Sequence, residues 1–215
     1  MGRISRCIIS LGMAFILFLS LIPTGFAQTG VVKGGLYNLS DYQKLTGKKI
    51  TKFNESPTLS ELVKQGKIPS VEKRLPDEPI VVEPFEEIGE YGGTIRNAHL
   101  GMGDVTGWFR MVHEPLVYWD KDHRKIYPNV AKSWKVSDNG KTFTFYLRKG
   151  IKWSDGKPFT ADDVVFWFED IISNKEITPV FPTWLTINGK PATLEKIDDY
   201  TVRFRFQEPY GFFLN

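Results

Sequence analysis

Ser137-Asp138-Asn139-Gly140-Lys141-Thr142-Phe143-Thr144-Phe145-Tyr146-Leu147-Arg148 is the stretch whose reading decides the fold. Asn139-Gly140 tolerates the positive φ that reverses a chain between two antiparallel strands. The flanking segments, 132–136 and 141–148, predict the two strands of a hairpin. In the second, Phe143, Phe145 and Leu147 fall on one face and Thr142, Thr144 and Tyr146 on the other, because side chains alternate along a strand. One face of that hairpin is therefore expected in a core.

Working outward, Trp153-Ser154-Asp155-Gly156-Lys157-Pro158 reads as a second turn. Thr160-x-x-Asp163 then reads as a capping box that opens a helix, with Asp162 and Asp163 at the positive end of its dipole. Val164, Val165, Phe168, Ile171 and Ile172 form one apolar stripe on that helix. A further hairpin is expected over 194–197 and 201–206 around Asp198-Asp199, with Val202, Phe204 and Phe206 inward. Upstream, Gly92-Gly93 leads into a predicted strand over 94–98 and a loop at Gly101-Met102-Gly103-Asp104. An apolar segment over 108–119 is expected to be helical before Pro115 and strand-like at 116–119. Ser56-Pro57 opens a short helix, in which Thr58-x-x-Glu61 reads as a capping box and Gly66 as the stop. Four prolines within 67–90 predict an extended arm without regular helix, lying along something already folded. Residues 28–54 are polar and basic with weak periodicity. The mix of hairpins and helices predicts an α/β (mixed α+β) domain.

The first 27 residues read as an export signal. Arg3 and Arg6 precede an apolar run from Cys7 to Ile22, Pro23 breaks the helix, and Gly25 and Ala27 suit a cleavage site before Gln28. An uncleaved anchor is the competing reading. Cleavage there removes the sole cysteine, Cys7, and with it thiol chemistry, disulfides and cysteine-bound zinc. The expected organisation is a signal over 1–27, an extension and proline-rich arm over 28–90, and a lobe over 91–215. The apolar stretch from Tyr210 to Leu214 reads as a new element just begun, as in a fragment of a longer protein. With 28 basic against 25 acidic residues, nothing in the charge points to nucleic acid.

The chemical motifs are sparse. Gly101-x-Gly103 lacks the third glycine of a dinucleotide fingerprint, since position 106 is Thr. His99, His113 and His123 are dispersed, and no nucleophile elbow occurs, so no catalytic residue, metal site or cofactor is expected. The aromatics carry more information: 6 Trp, 16 Phe and 8 Tyr exceed what one core of this size requires. Trp108, Phe109 and Trp184 sit near predicted loops, where an indole or phenyl ring suits a ligand cleft or ordinary packing between lobes.

The order of motifs then becomes informative. His113-Glu114-Pro115-Leu116-Val117-Tyr118-Trp119-Asp120 is followed by Tyr127-Pro128-Asn129-Val130-Ala131-Lys132-Ser133-Trp134, by the run from Ser137 to Gly156, by Pro158-Phe159-Thr160-Ala161-Asp162-Asp163-Val164, and by Asp198-Asp199-Tyr200-Thr201-Val202. From about Tyr91 onward the chain resembles the extracellular solute-binding proteins of family 5, the oligopeptide- and dipeptide-binding components of ABC importers. That resemblance implies a type II periplasmic-binding-protein-like fold, here its first lobe only with the second lobe missing. It also implies capture without catalysis, a periplasmic or cell-surface location in a prokaryote, a permease as membrane partner and a monomer. The ligand implied is an oligopeptide or dipeptide. An oligosaccharide is the alternative within the same fold, and an exported hydrolase the rival outside it. The loop that faces the ligand in the family corresponds to His99, Gly101, Met102, Gly103 and Asp104. With Trp108, Phe109 and Trp184 these are the candidate ligand-binding residues, whereas the turn and cap motifs are expected to serve the fold.

Overall fold

The computed structural model describes residues 30–96, 98, 100, 101 and 113–215. The signal segment and most of the loop from His99 to Phe109 therefore lie outside the described residues. In chain order the elements are β1 (Leu36–Asn38), α1 (Leu39–Thr46), α2 (Pro57–Lys64), α3 (Val71–Arg74), β2 (Ile80–Val82), β3 (Val117–Trp119), β4 (Ile126–Pro128), β5 (Ala131–Ser137) and β6 (Thr142–Leu147). Helix α4 (Ala161–Phe166) runs into a π-helical segment, Trp167–Ile172, and is followed by β7 (Thr186–Ile187), β8 (Lys190–Pro191), β9 (Thr193–Asp198) and β10 (Thr201–Arg205). The architecture is mixed α/β, as the hairpins and helices of the sequence predict.

The centre is a four-stranded antiparallel sheet in the order β5-β6-β10-β9. The decisive turn forms as read: Asp138, Asn139 and Gly140 take φ of 54°, 50° and 80°. Across β6 and β10, Phe143 faces Phe204 and Phe145 faces Val202, so the inward faces of the two hairpins meet in register. Helix α4 covers that face through Val164, and Phe168, Leu185 and Ala192 complete the core. The Tyr210–Leu214 stretch closes it. The Phe213 ring lies 4.8 Å from Phe143, 5.2 Å from Phe204 and 4.8 Å from Phe206, at tilted or edge-on angles that favour aromatic pairs. Thr142 and Thr144, expected on the outer face, are buried as well, whereas Tyr146 on that face is exposed; the Arg203 side chain of β10 donates to the Thr144 hydroxyl at 3.2 Å.

Several local expectations are corrected. Helix α2 opens at Ser56-Pro57 as read, but its cap is Ser56, whose hydroxyl accepts from the Leu59 N–H, and not the Thr58 box. The proline-rich arm contains the single helical turn α3, fitted between Pro69 and Pro76, and strand β2, which pairs with β1 in the region of weak periodicity. Residues 94–96 form no strand, since nothing among the described residues pairs with them, and Ile95 is exposed. The helix opened by Thr160 does not stay α-helical. The Ser173 N–H reaches back five residues to the Phe168 carbonyl.

The arm is fixed by polar contacts. Arg148 is 2% exposed and donates to Asn129 O (3.1 Å), Glu78 O (2.6 Å) and Asn38 Oδ1 (2.8 Å), joining β1 and the start of β2 to the sheet. Beside it Glu78 pairs with Lys132 and accepts from the Ser40 N–H at 3.0 Å. Burial pushes the Glu78 carboxyl up, but the hydrogen bonds from Lys132 and Ser40 outweigh it and hold the group at about 2.

Candidate functional site

One hollow combines size with an apolar lining. It encloses about 840 Å³ between β3, the turn after Gly150, helix α4 and the segment carrying Trp184. Its floor is the core itself, Phe145, Phe204 and Phe213. Four of the six tryptophans line it: Trp119, Trp153, Trp167 and Trp184.

Each indole is placed by a different piece of local chemistry. Trp119 ends β3, and its Nε1–H donates to the Leu214 carbonyl at 2.8 Å. Trp153 opens the Asp155-Gly156 turn, in which the Trp153 N–H donates to Lys157 O and the Gly156 N–H to Trp153 O. Gly156 supplies the positive φ of 87° that this turn needs. The Trp153 ring meets Phe159 edge-on at 5.5 Å. Trp167 begins the π-helical segment and stacks on Trp184 with centroids 6.0 Å apart and planes 21° from parallel. Trp153 and Trp184 are each 51% exposed, which is costly for an indole unless a ligand or partner covers it.

The rim is polar. The Asn129 side-chain amide donates to Glu114 Oε2 (2.9 Å) and Pro115 O (2.7 Å), which fixes the entry to β3. The Tyr118 hydroxyl is raised above its ordinary value by burial and by the Glu114 charge. Among the described residues, no group of three or more His, Asp, Glu or Cys side chains is placed to hold a metal. A second hollow, about 640 Å³, follows the seam between the arm and the sheet and is lined by Glu78, Lys132, Arg148 and Lys149.

Of the eight candidate residues, Trp184 lines the aromatic hollow. Gly101 sits in an exposed bend and is not part of that lining. His99, Met102, Gly103, Asp104, Trp108 and Phe109 lie outside the described residues. Reasoning from sequence missed Trp119, Trp153 and Trp167. The available signal was the pair of aromatics, Trp153 and Phe159, flanking one tight turn, which brings the two rings into contact. Trp167 carries no such signal, because it falls beside the apolar stripe and is turned into the hollow where the helix becomes π-helical.

Comparison with known proteins extends this picture. Residues 125–215 match the family described as "Bacterial extracellular solute-binding proteins, family 5 Middle". A periplasmic alpha-galactoside-binding protein of Rhizobium meliloti (strain 1021) is 34% identical over an alignment that covers 76% of this chain and 27% of its own. Among solved structures, an oligopeptide-binding protein OppA superposes with a TM-score of 0.78 at 49% identity, covering 84% of this chain and 28% of its own. The periplasmic binding protein MelB of Agrobacterium fabrum C58, in complex with stachyose, superposes with a TM-score of 0.63 at 31% identity, covering 84% of this chain and 29% of its own. The chain thus spans rather more than a quarter of the length of these relatives. The matched sequence, the shared fold and the motif order from His113 to Val202 lead to one assignment: residues 125–215 are a segment of the bacterial extracellular solute-binding proteins of family 5.

Proposed function

We propose that the chain supplies a ligand-contacting lobe of the extracytoplasmic binding component of an ABC importer, and that its solute is a short oligosaccharide. Residues 1–27 act as the export signal, 28–90 as an extension clamped to the lobe, and 91–215 as the lobe itself. The solute is captured, carried to a membrane permease and released without a bond being broken.

The carrying observation is the half-exposed Trp184, stacked on the more buried Trp167, in a hollow also lined by Phe145, Phe204 and Phe213. A pyranose ring presents a flat face of C–H bonds that matches an indole surface, and covering such a surface removes the cost of its exposure. The named ligands of two relatives agree with it. The alpha-galactoside-binding protein and the stachyose complex align with 76% and 84% of this chain, more than residues 91–215 alone supply, so the similarity reaches into the arm.

A second reading, an oligopeptide ligand, is favoured by the 49% identity to the protein named OppA. Calorimetric titration of the full chain with stachyose and with tri- and tetrapeptides separates the two. Saturable stachyose binding, weakened about tenfold by Trp184→Ala, is the expected result. Peptide binding with no response to stachyose would select the second reading, and no saturable response to either would overturn both.

A further inference from the structure

The turn and cap motifs meet inside the aromatic hollow, at one carboxylate. Asp163 closes the capping box of α4, where its Oδ2 accepts from the Thr160 N–H at 2.7 Å and faces the Thr160 hydroxyl at 3.5 Å. Its other oxygen, Oδ1, accepts from the Nε1–H of Trp153 at 3.0 Å. A capping box uses one oxygen of the carboxylate; nothing in helix capping requires the second to reach an indole ten residues earlier. A carboxylate is planar, so anchoring Oδ2 on the helix start fixes the direction in which Oδ1 points. The Trp153 ring is then held from two sides, by Asp163 at its nitrogen and by Phe159 against its edge.

We propose that Asp163 is a positioning residue of the ligand cleft: it holds the half-exposed Trp153 indole in place and engages its only donor. This rests on the reading of the hollow as the solute site. Tryptophan has a single N–H and no acceptor, so with that N–H held by Asp163 the ring offers the solute only carbon and π surface. Trp119 is committed in the same way, its N–H held by the Leu214 carbonyl. The two indoles therefore select a solute by flat apolar faces, such as the C–H face of a sugar ring or an aromatic side chain. Hydrogen bonds to hydroxyls must come from other groups. The rigidity also matters energetically: a ring already fixed in its bound orientation loses little freedom when the solute arrives.

The test separates positioning from capping. In Asp163→Asn one acceptor oxygen becomes an NH2 donor; the remaining oxygen stays on the Thr160 N–H, the shorter of the two bonds (2.7 against 3.0 Å), and the NH2 then faces the Trp153 N–H, which loses its partner. Thr160→Ala removes the capping hydroxyl but leaves the backbone N–H that anchors Oδ2. The full chain is labelled with fluorotryptophan, and the Trp153 resonance is identified by its disappearance in Trp153→Phe. The expected result is that Asp163→Asn shifts or broadens this resonance and weakens stachyose binding about three- to tenfold. Thr160→Ala should lower the melting temperature while leaving both unchanged. An unmoved Trp153 resonance in Asp163→Asn, or an equal change in Thr160→Ala, would overturn the positioning role whatever the ligand. A moved resonance with undiminished stachyose affinity would overturn its importance for binding. A moved resonance in a protein whose wild type binds neither stachyose nor a tetrapeptide would overturn the reading of the hollow itself.

Discussion

The sheet and the arm, held against each other at Arg148, are stabilised by opposite means. The sheet buries Phe143, Phe145, Leu147, Val202, Phe204 and Phe206 against one another, with Phe213 closing the cluster. The arm, from β1 to β2, buries Tyr37, Tyr42 and the polar Asn38, and neither α2 nor α3 has a buried residue. Its order comes from Arg148, from the Glu78–Lys132 and Glu55–Arg74 pairs, and from the Tyr42 hydroxyl donating to Glu83 at 2.8 Å. Apolar burial is contiguous and cooperative, so the sheet can hold itself together. Directed hydrogen bonds need their partners placed first, so the arm depends on a surface that already exists. The arm should therefore loosen before the sheet, and salt or acid should act on the arm first.

The comparison breaks most visibly at Phe204. Phe204→Ala removes a ring packed on Phe145, Phe168 and Phe213 and is expected to cost about 4 kcal/mol, read as a shift of the urea midpoint for the whole molecule. Next comes Arg148→Ala. It leaves Asn129 O, Glu78 O and Asn38 Oδ1 without their donor and should cost about 3 kcal/mol. Its signature is different: amide exchange should rise in β1 and β2 well before it rises in β6 and β10. Equal acceleration in both regions would mean that the arm and the sheet form one cooperative unit.

Acid probes the seam more gently. The folded-state value of Glu78, about 2, lies below its ordinary 4.5, so its stabilisation is complete above pH 4.5 and is lost as pH falls toward 2. Lys132 is 47% exposed, and solvent screening reduces the contribution to about 1–2 kcal/mol. Glu78→Gln should flatten the stability profile between those two pH values and leave the arm, not the sheet, exchanging faster at neutral pH.

The same contrast explains what could be read in advance. The sheet was legible because its signals are local. Asn139-Gly140 sits at the turn, and the inward residues of β6 and β10 alternate along their own strands. The arm was not, because its elements are stabilised by residues far along the chain: Asn38 and Arg148 are 110 positions apart. A three-residue strand and a single helical turn between prolines leave no periodic trace. The aromatic hollow was legible in part. Trp184 stood out as an aromatic near a loop, whereas Trp153 was hidden inside a motif with a complete structural explanation. Trp167 was hidden by a change of helical period that propensities do not report.

The finest test applies one chemical deletion to both regions. Ser56 caps α2 in the arm, its hydroxyl 3.3 Å from the Leu59 nitrogen, and Thr160 caps α4 on the sheet, 3.3 Å from the Asp162 nitrogen. Each loses a comparable hydrogen bond on conversion to Ala, worth about 1 kcal/mol at a helix that must fold with the whole. Helix α4 is such a helix, because Ala161 and Val164 are buried in the core. Thr160→Ala should therefore lower the global melting temperature by a few degrees. Helix α2 has no fully buried residue, its apolar Leu59, Leu62 and Val63 being half-buried, so Ser56→Ala should fray it locally, speeding exchange at Leu59 and Ser60 while the melting temperature stays within error. Equal melting shifts from the two variants would show that α2 is coupled to the core as tightly as α4, which would erase the distinction between a self-supporting sheet and an arm that borrows its order from it.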